Sequence, residues 1–256
     1  MRIAHAMEHF DESDTGFVHA VALAAASGDA ELLTLHVTQG RAETRQPPSA
    51  TALLARWNRS GARIAQRVHA CPGHDDIADE LISACEAFPP ELLIMTTHAR
   101  TGLARVLVGS VAEAVARNVS VPCLLLPHGA PGLVQPAGGM DGALGLSRLL
   151  VLGGSDADAQ LGVDTAAWLI GSLQLGATQL TVLHVEDGTR SSSPSYPRVP
   201  KNVTLTQELR HGSLEHAVEQ AIAERDPQLL VMVSHGHDQL RDVIWSSHTE
   251  RVLQVA

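Results

Sequence analysis

The sequence predicts an α/β protein built from two doubly wound parallel-sheet domains. Short apolar runs alternate with helical patterns along the 256 residues. A regular succession of strand and helix favours right-handed crossovers between parallel strands. Runs such as ELLIM at 91–95 and CLLL at 123–126 show no polar alternation, which is typical of strands that are covered on both faces.

An internal repeat divides the chain into two halves. Three segments of the first half return in the same order in the second half, which indicates duplication. The pairs are LLTLHV at 32–37 with LTVLHV at 180–185, LLIMTTHA at 92–99 with LLVMVSHG at 229–236, and GSVAEAVARNV at 109–119 with SSHTERVLQVA at 246–256. We therefore predict a first domain at 1–127 and a second at 148–256, joined by a Gly- and Pro-rich linker at 128–147.

The first half is predicted to contain five strands and four helices. The predicted strands are 2–7, 30–37, 67–71, 91–97 and 121–127. The predicted helices are 15–28, 49–66, 75–88 and 109–119, the second of them broken near Gly61.

The second half is predicted to be a reduced copy. Its predicted strands are 148–154, 178–185, 202–209 and 228–234, and its helices are 161–176 and 213–226. A Ser- and Pro-rich segment at 186–201 replaces the helix expected after its second strand. The sequence stops at Ala256, where a fifth strand is expected to begin, so we expect this domain to lack one helix and one strand.

The composition excludes several classes of partner. The net charge is −10 and no basic stripe is visible, which argues against binding to duplex nucleic acid. Aromatic residues make up 3% of the chain, which disfavours stacking on single strands. No apolar run approaches the roughly 20 residues of a membrane span. Three widely spaced cysteines fit a reducing cytoplasm.

The stretch THARTGLARVLVGSVAEAVARNVSVPCLLLP at 97–127 resembles the strand–loop–helix–strand signature of the universal stress protein family. Together with the duplication, it is similar to the tandem, two-domain form of that family. The resemblance implies an adenine nucleotide alpha hydrolase-like sheet with strand order 3-2-1-4-5. It also implies a choice between two kinds of protein, because some members of the family bind ATP and others do not.

The ATP-binding members carry the motif G-x2-G-x9-G-[S/T], which lets the backbone approach phosphates at a helix N-terminus. The resemblance maps these positions onto Thr96, Ala99, Gly109 and Ser110, with Gly102 inside the loop. Two of the three glycines are therefore replaced. If either position requires a positive φ, the added Cβ costs about 1 kcal/mol or more. In the alternative interpretation, Gly102 and Gly109 only turn the chain and Ser110 caps the helix.

The family resemblance also implies which residues lie near the nucleoside of a bound nucleotide. It places Met7, Glu8, Val37 and Val111 near a bound nucleotide, with Glu8 at the position of the family's Asp after the first strand. In the second half, the motif positions are Val233, Gly236, Ser246 and Ser247, and Gly154 replaces the carboxylate. ATP or a related nucleotide is thus a candidate ligand of the first half and a poorer one of the second.

Catalytic and metal motifs are weak. We predict no metal site, because His235 and His237 lack further ligands at a standard spacing. The string GGSDAD at 153–158 fits an active-site loop or, more simply, a helix N-cap at Ser155. His36 and His184 occupy corresponding strands and are expected to form hydrogen bonds inside the fold.

The sequence therefore favours a non-enzymatic cytoplasmic stress-response protein with weak or no ATP binding. One alternative is a nucleotide-binding regulator that uses the loop of the first half. Another is an ancillary hydrolase or a carrier of a small ligand. The unpaired edge strand at 121–127 predicts a homodimer.

Overall fold

The computed structural model describes residues 1–38, 45–59, 61–71, 76–97, 110–127, 133–134, 142–186, 196 and 199–233. These residues form two compact units. The boundary between the units in the sequence falls between Leu144 and Gly145, inside the predicted linker. None of the helices in these ranges is long and apolar enough to cross a membrane.

The first unit contains a five-stranded parallel sheet in the order β3-β2-β1-β4-β5, which confirms the predicted order. Its strands are β1 Arg2–Met7, β2 Asp29–Val37, β3 Arg63–Cys71, β4 Leu92–Thr97 and β5 Cys123–Pro127. The strand order reverses between β1 and β4. In open α/β sheets, ligands bind at the carboxyl ends of the strands at such a switch point.

The helices of the first unit are α1 Thr15–Ala26, α2 Ala50–Arg56, α3 Ile77–Ala87 and α4 Ser110–Asn118. Side-chain oxygens of Asp14, Ser49 and Asp76 cap the first three by accepting backbone N–H bonds. Residues 92–95 of β4 are all buried, which explains why this run carries no polar alternation.

The predicted helix at 49–66 is wrong in its second half. α2 ends at Arg56, and Asn58 adopts a φ of 56°, a left-handed conformation that interrupts the helix. Residues 63–66 instead begin β3, a strand of 9 residues that pairs in parallel with all of β2. The hydrogen bonds to β2 outweigh the helical propensity of Ala, Arg and Gln in this segment.

The second unit contains a four-stranded parallel sheet in the order β8-β7-β6-β9. Its elements are β6 Arg148–Gly153, α5 Asp156–Ser172, β7 Thr178–Glu186, β8 Val203–His211, α6 Leu214–Arg225 and β9 Leu229–Val231. This order repeats the first four strands of the first unit. The described part of this unit contains four strands, one fewer than the first unit, as predicted. Most of the Ser/Pro segment between β7 and β8, where the sequence predicts that a helix is missing, lies outside the described residues.

Candidate functional site

The carboxyl ends of β1, β2 and β4 form the edge at which the sequence predicts a ligand. β1 ends at Met7, which is level with His36 of β2, and β2 ends at Val37. Met7 and Val37 are 4% and 6% exposed, so neither presents much surface to a ligand. Glu8 follows β1, and its half-exposed carboxylate lies 3.7 Å from the imidazole of His9.

The predicted site residues lie on two faces of the sheet. Val37 and Val111 pack into one apolar cluster with Met95, on the side that carries α3 and α4. Successive strand residues point to opposite faces, so Thr96 lies on the other side, where α1 packs. Met7 is on that side too, because its neighbour Ala6 belongs to the α3–α4 cluster. The structure thus brings together Val37 with Val111, but separates them from Met7 and Thr96.

Thr96 is part of β4 and is not in a turn. It pairs with Leu126 of β5, and it does not share the positive φ found at Asn58, Gln174 and Asp226. Its Cβ therefore causes no backbone strain, and an effect on phosphate binding would be purely steric. Three further predicted residues, Ala99, Gly102 and Gly109, lie outside the described residues.

An aromatic stack covers the end of β2. The ring of Phe10, three residues after β1, lies 3.9 Å from the ring of His36 in a stacked orientation. Both residues are buried, at 8% and 5% exposure. His36 Nε2 has no hydrogen-bond partner among the described residues, so the hydrogen bond predicted for this side chain is not found at Nε2. Sequence reasoning missed Phe10, although it is one of only three phenylalanines.

The N-terminus of α4 combines a favourable and an unfavourable feature for an anion. Ser110 is the first helical residue and is exposed, so its N–H lies at the positive end of the helix dipole. Glu113 stands in the same first turn and forms an ion pair with Arg117. The Glu113 carboxylate already interacts favourably with this helix end, and it would repel a phosphate that binds there.

Buried His5 and partly exposed Asp14 form a pair at the start of α1. His5 is 0% exposed, and its Nε2 lies 3.1 Å from Oδ1 of Asp14, the N-cap of α1. Burial raises the pKa of Asp14, but the contact with the His5 ring and the N–H groups of Phe17 and Gly16 outweigh it and hold that pKa below its usual value. A Cβ at Gly16 would lie 2.3 Å from His5 Nε2, so only glycine fits over this ring.

The string GGSDAD forms a helix cap. Ser155 Oγ accepts the N–H of Asp158 at 3.1 Å and donates to Asp158 Oδ2 at 2.8 Å. The same carboxylate accepts the N–H of Ser155 at 3.0 Å, which completes a capping box. This structural role accounts for the Ser and Asp pattern, and the predicted N-cap is confirmed.

In the second unit, the edge at β6 and β7 is also filled by the chain. Gly153 is level with His184, and a Cβ at Gly153 would lie 2.7 Å from the imidazole. Tyr196 comes from the Ser/Pro segment, is 7% exposed, and places its hydroxyl 3.3 Å from His184 Nε2. The expected hydrogen bond of His184 is thus confirmed. Tyr196 was missed, although a lone tyrosine in a Ser/Pro-rich segment is an anchor that the sequence displays.

No cluster of three or more His, Cys, Asp or Glu side chains suited to a metal occurs within the described ranges. The three cysteines are free thiols. Burial raises the pKa of Cys71 and Cys85 to about 11 and that of Cys123 to about 12, so these thiols are protonated at neutral pH.

The universal stress protein family model matches residues 1–127 and 195–256. A universal stress protein from Archaeoglobus fulgidus is 16% identical with a TM-score of 0.66, over 100% of this chain and 95% of that one. A family member from Burkholderia pseudomallei is 25% identical with a TM-score of 0.30, over 49% of this chain and 95% of that one. A family protein from Arabidopsis thaliana, with AMP bound, is 14% identical with a TM-score of 0.31, over 54% and 97%. No curated protein sequence matches the chain.

Proposed function

Because this chain belongs to the universal stress protein family, we propose that it is a non-enzymatic stress-response protein whose first domain binds ATP weakly or not at all. The observation that carries the proposal is the stack of Phe10 on His36 at the carboxyl edge of β1 and β2. The chain's own rings occupy an edge that a nucleoside would need to reach.

The stack of Phe10 on His36 disfavours nucleoside binding at this edge, because the two rings would have to separate first. Phe10 is 8% exposed, and exposing a buried phenylalanine costs about 1.5–3 kcal/mol. A cost of this size weakens binding by about 10- to 100-fold. Any nucleoside at this edge would therefore need to offset the loss with new contacts.

The residues at the family's phosphate-binding positions also favour weak ATP binding. Thr96 adds a side chain next to the switch point, and Glu113 places a carboxylate in the first turn of α4. Of the family's phosphate-binding positions, only Gly109 and Ser110 match the motif. The remaining donors at the helix end hold a triphosphate less tightly than a complete glycine loop would.

Calorimetric titration of the full chain with ATP and Mg²⁺ tests the proposal. We expect a Kd weaker than about 1 mM, which corresponds to about −4.1 kcal/mol. Phe10→Ala should tighten binding by about 10- to 100-fold by opening the edge. Phe88→Ala, at a 45% exposed phenylalanine, is the matched control and should leave the affinity unchanged. A micromolar Kd for the unaltered chain would refute the proposal.

The nucleotide-regulator alternative rests on one observation, the exposed Ser110 at the start of α4. If this alternative holds, Ser110→Ala weakens ATP binding severalfold, whereas Thr165→Ala, at a half-buried threonine of α5 in the second unit, does not. Equal affinities for both variants would remove the alternative.

We also infer a homodimer through residues 121–127 and a cytoplasmic location. β5 is the outer strand of its sheet, so one side of its backbone is available to pair with a second copy. The three free thiols fit a reducing compartment. Light scattering that finds a strict monomer at high protein concentration would contradict the dimer.

A further inference from the structure

His19 of α1 holds a segment that follows the first sheet in sequence. Its Nδ1 lies 2.6 Å from the Thr15 carbonyl oxygen, which can only accept, so Nδ1 carries the proton. Its Nε2 accepts the N–H of Leu133 at 2.7 Å and that of Val134 at 3.4 Å. The ring is therefore neutral, and both of its nitrogens have partners.

We call residues 133–134 and 142–144 the strap. Val134 forms an antiparallel bridge to Leu144, and Leu133 is 4% exposed. Gly142 has a φ of +64°, and a Cβ there would lie 2.4 Å from the ring of Trp57, the C-cap residue that follows α2. The strap therefore packs against α1 through His19 and against the end of α2 through Trp57.

We propose that His19 is a proton-sensitive latch that holds the strap on the first unit at neutral pH and releases it in acid. Protonation places a hydrogen on Nε2, opposite the N–H groups of Leu133 and Val134. Two donors then face each other where an acceptor was, and the hydrogen bonds to the strap are lost. The proton comes from solvent, and the Nδ1–H bond to the Thr15 carbonyl oxygen is retained.

The surroundings of His19 determine the pH at which the strap is released. Burial is the largest influence, and it lowers the pKa of His19. The hydrogen bond to the Thr15 carbonyl and the charge of Asp14 raise this pKa, and the charge of His5 lowers it further. Among the described residues of the strap, Leu133 and Val134 contact the ring, and both have apolar side chains. Because docking lowers the pKa of His19 from its ordinary value of 6.5, docking weakens progressively as the pH falls below that value.

Hydrogen exchange of the full chain, measured by mass spectrometry and corrected for intrinsic rates, tests the latch. The peptide containing Leu133 and Val134 should keep its protection from pH 8 to about pH 6.5. Below that pH, its protection should fall by up to about tenfold per pH unit, as expected for the uptake of one proton. Constant protection down to pH 5 would overturn the proposal.

Variants separate the latch from other acid effects. His19→Gln keeps a neutral acceptor, and His19→Phe removes the acceptor, so both should abolish the pH dependence; His19→Phe should also lower protection at pH 8. Asp14→Asn keeps a capping side chain but removes a charge that favours protonation, so it should shift the transition to lower pH. His216→Phe, at an exposed histidine of α6, is the control and should change nothing. A pH dependence that persists in His19→Gln would assign it to another group.

Discussion

Two glycines of α5 provide a matched test of how the second unit is packed. Gly162 is buried, and a Cβ there would lie 2.6 Å from Cγ1 of Val151 in β6, which is 0% exposed. Gly171 lies in the last turn of the same helix, is exposed, and a Cβ there would meet nothing within 4 Å. Substituting each by alanine should therefore change the free energy of unfolding in opposite directions.

The magnitudes follow from two terms. Alanine in a helix is favoured over glycine by about 0.5–1 kcal/mol, and this gain applies to both sites. At Gly162 the added methyl also overpacks a rigid, β-branched neighbour, which costs about 1–3 kcal/mol. We expect Gly171→Ala to stabilise the unit and Gly162→Ala to destabilise it, with a difference of about 1–3 kcal/mol between the two variants.

Native-state hydrogen exchange of the α5 amides, measured on the full chain, gives this free energy for the second unit alone. Each variant adds one methyl group to the same helix, so the effect on the unfolded state is nearly the same for both. If Gly162→Ala proves as stabilising as Gly171→Ala, the close contact between α5 and β6 is wrong.

Three further predictions concern the first unit and the capping box. Cys71, Cys85 and Cys123 should resist alkylation in the native protein at pH 8, because burial raises the pKa of each to about 11 or 12; rapid labelling would contradict their burial. Ser155→Ala should lower the stability of the second unit by about 1 kcal/mol in urea unfolding, since it removes a cap; no loss would refute that role. Asp14 has a lowered pKa, so the stability it contributes is present above its usual pKa of 3.8 and is lost as the pH falls through the lower native value. Asp14→Asn should therefore be less stable than the unaltered chain at pH 6, with the gap closing below about pH 4; a constant gap would contradict this sign.

The sequence predicts most of the fold because its apolar runs mark buried parallel strands. The alternation of strands and helices predicts a parallel sheet, the family resemblance implies its strand order, and that order is confirmed. The prediction fails at 63–66, where Arg, Ile, Ala and Gln suit a helix and a strand equally well. Only pairing with β2, which is distant in the sequence, decides between them.

The site was less predictable because side chains far apart in sequence build it. A motif identifies Thr96 and Ser110, but it does not show that Phe10 would stack on His36 or that Tyr196 would bond to His184. These contacts depend on strand register and on where a loop returns to the sheet. Neither quantity leaves a local pattern in the sequence.

The ability of the first unit to bind a nucleotide is tested most directly by amide chemical shifts of the full chain during titration with ATP and Mg²⁺. We predict no saturable shifts at Met7, Glu8, Val37, Thr96 and Ser110 up to about 1 mM ligand, because Phe10 stacks on His36 at the end of β2 and Glu113 lies in the first turn of α4. Saturable shifts at these residues with a micromolar Kd would contradict the account.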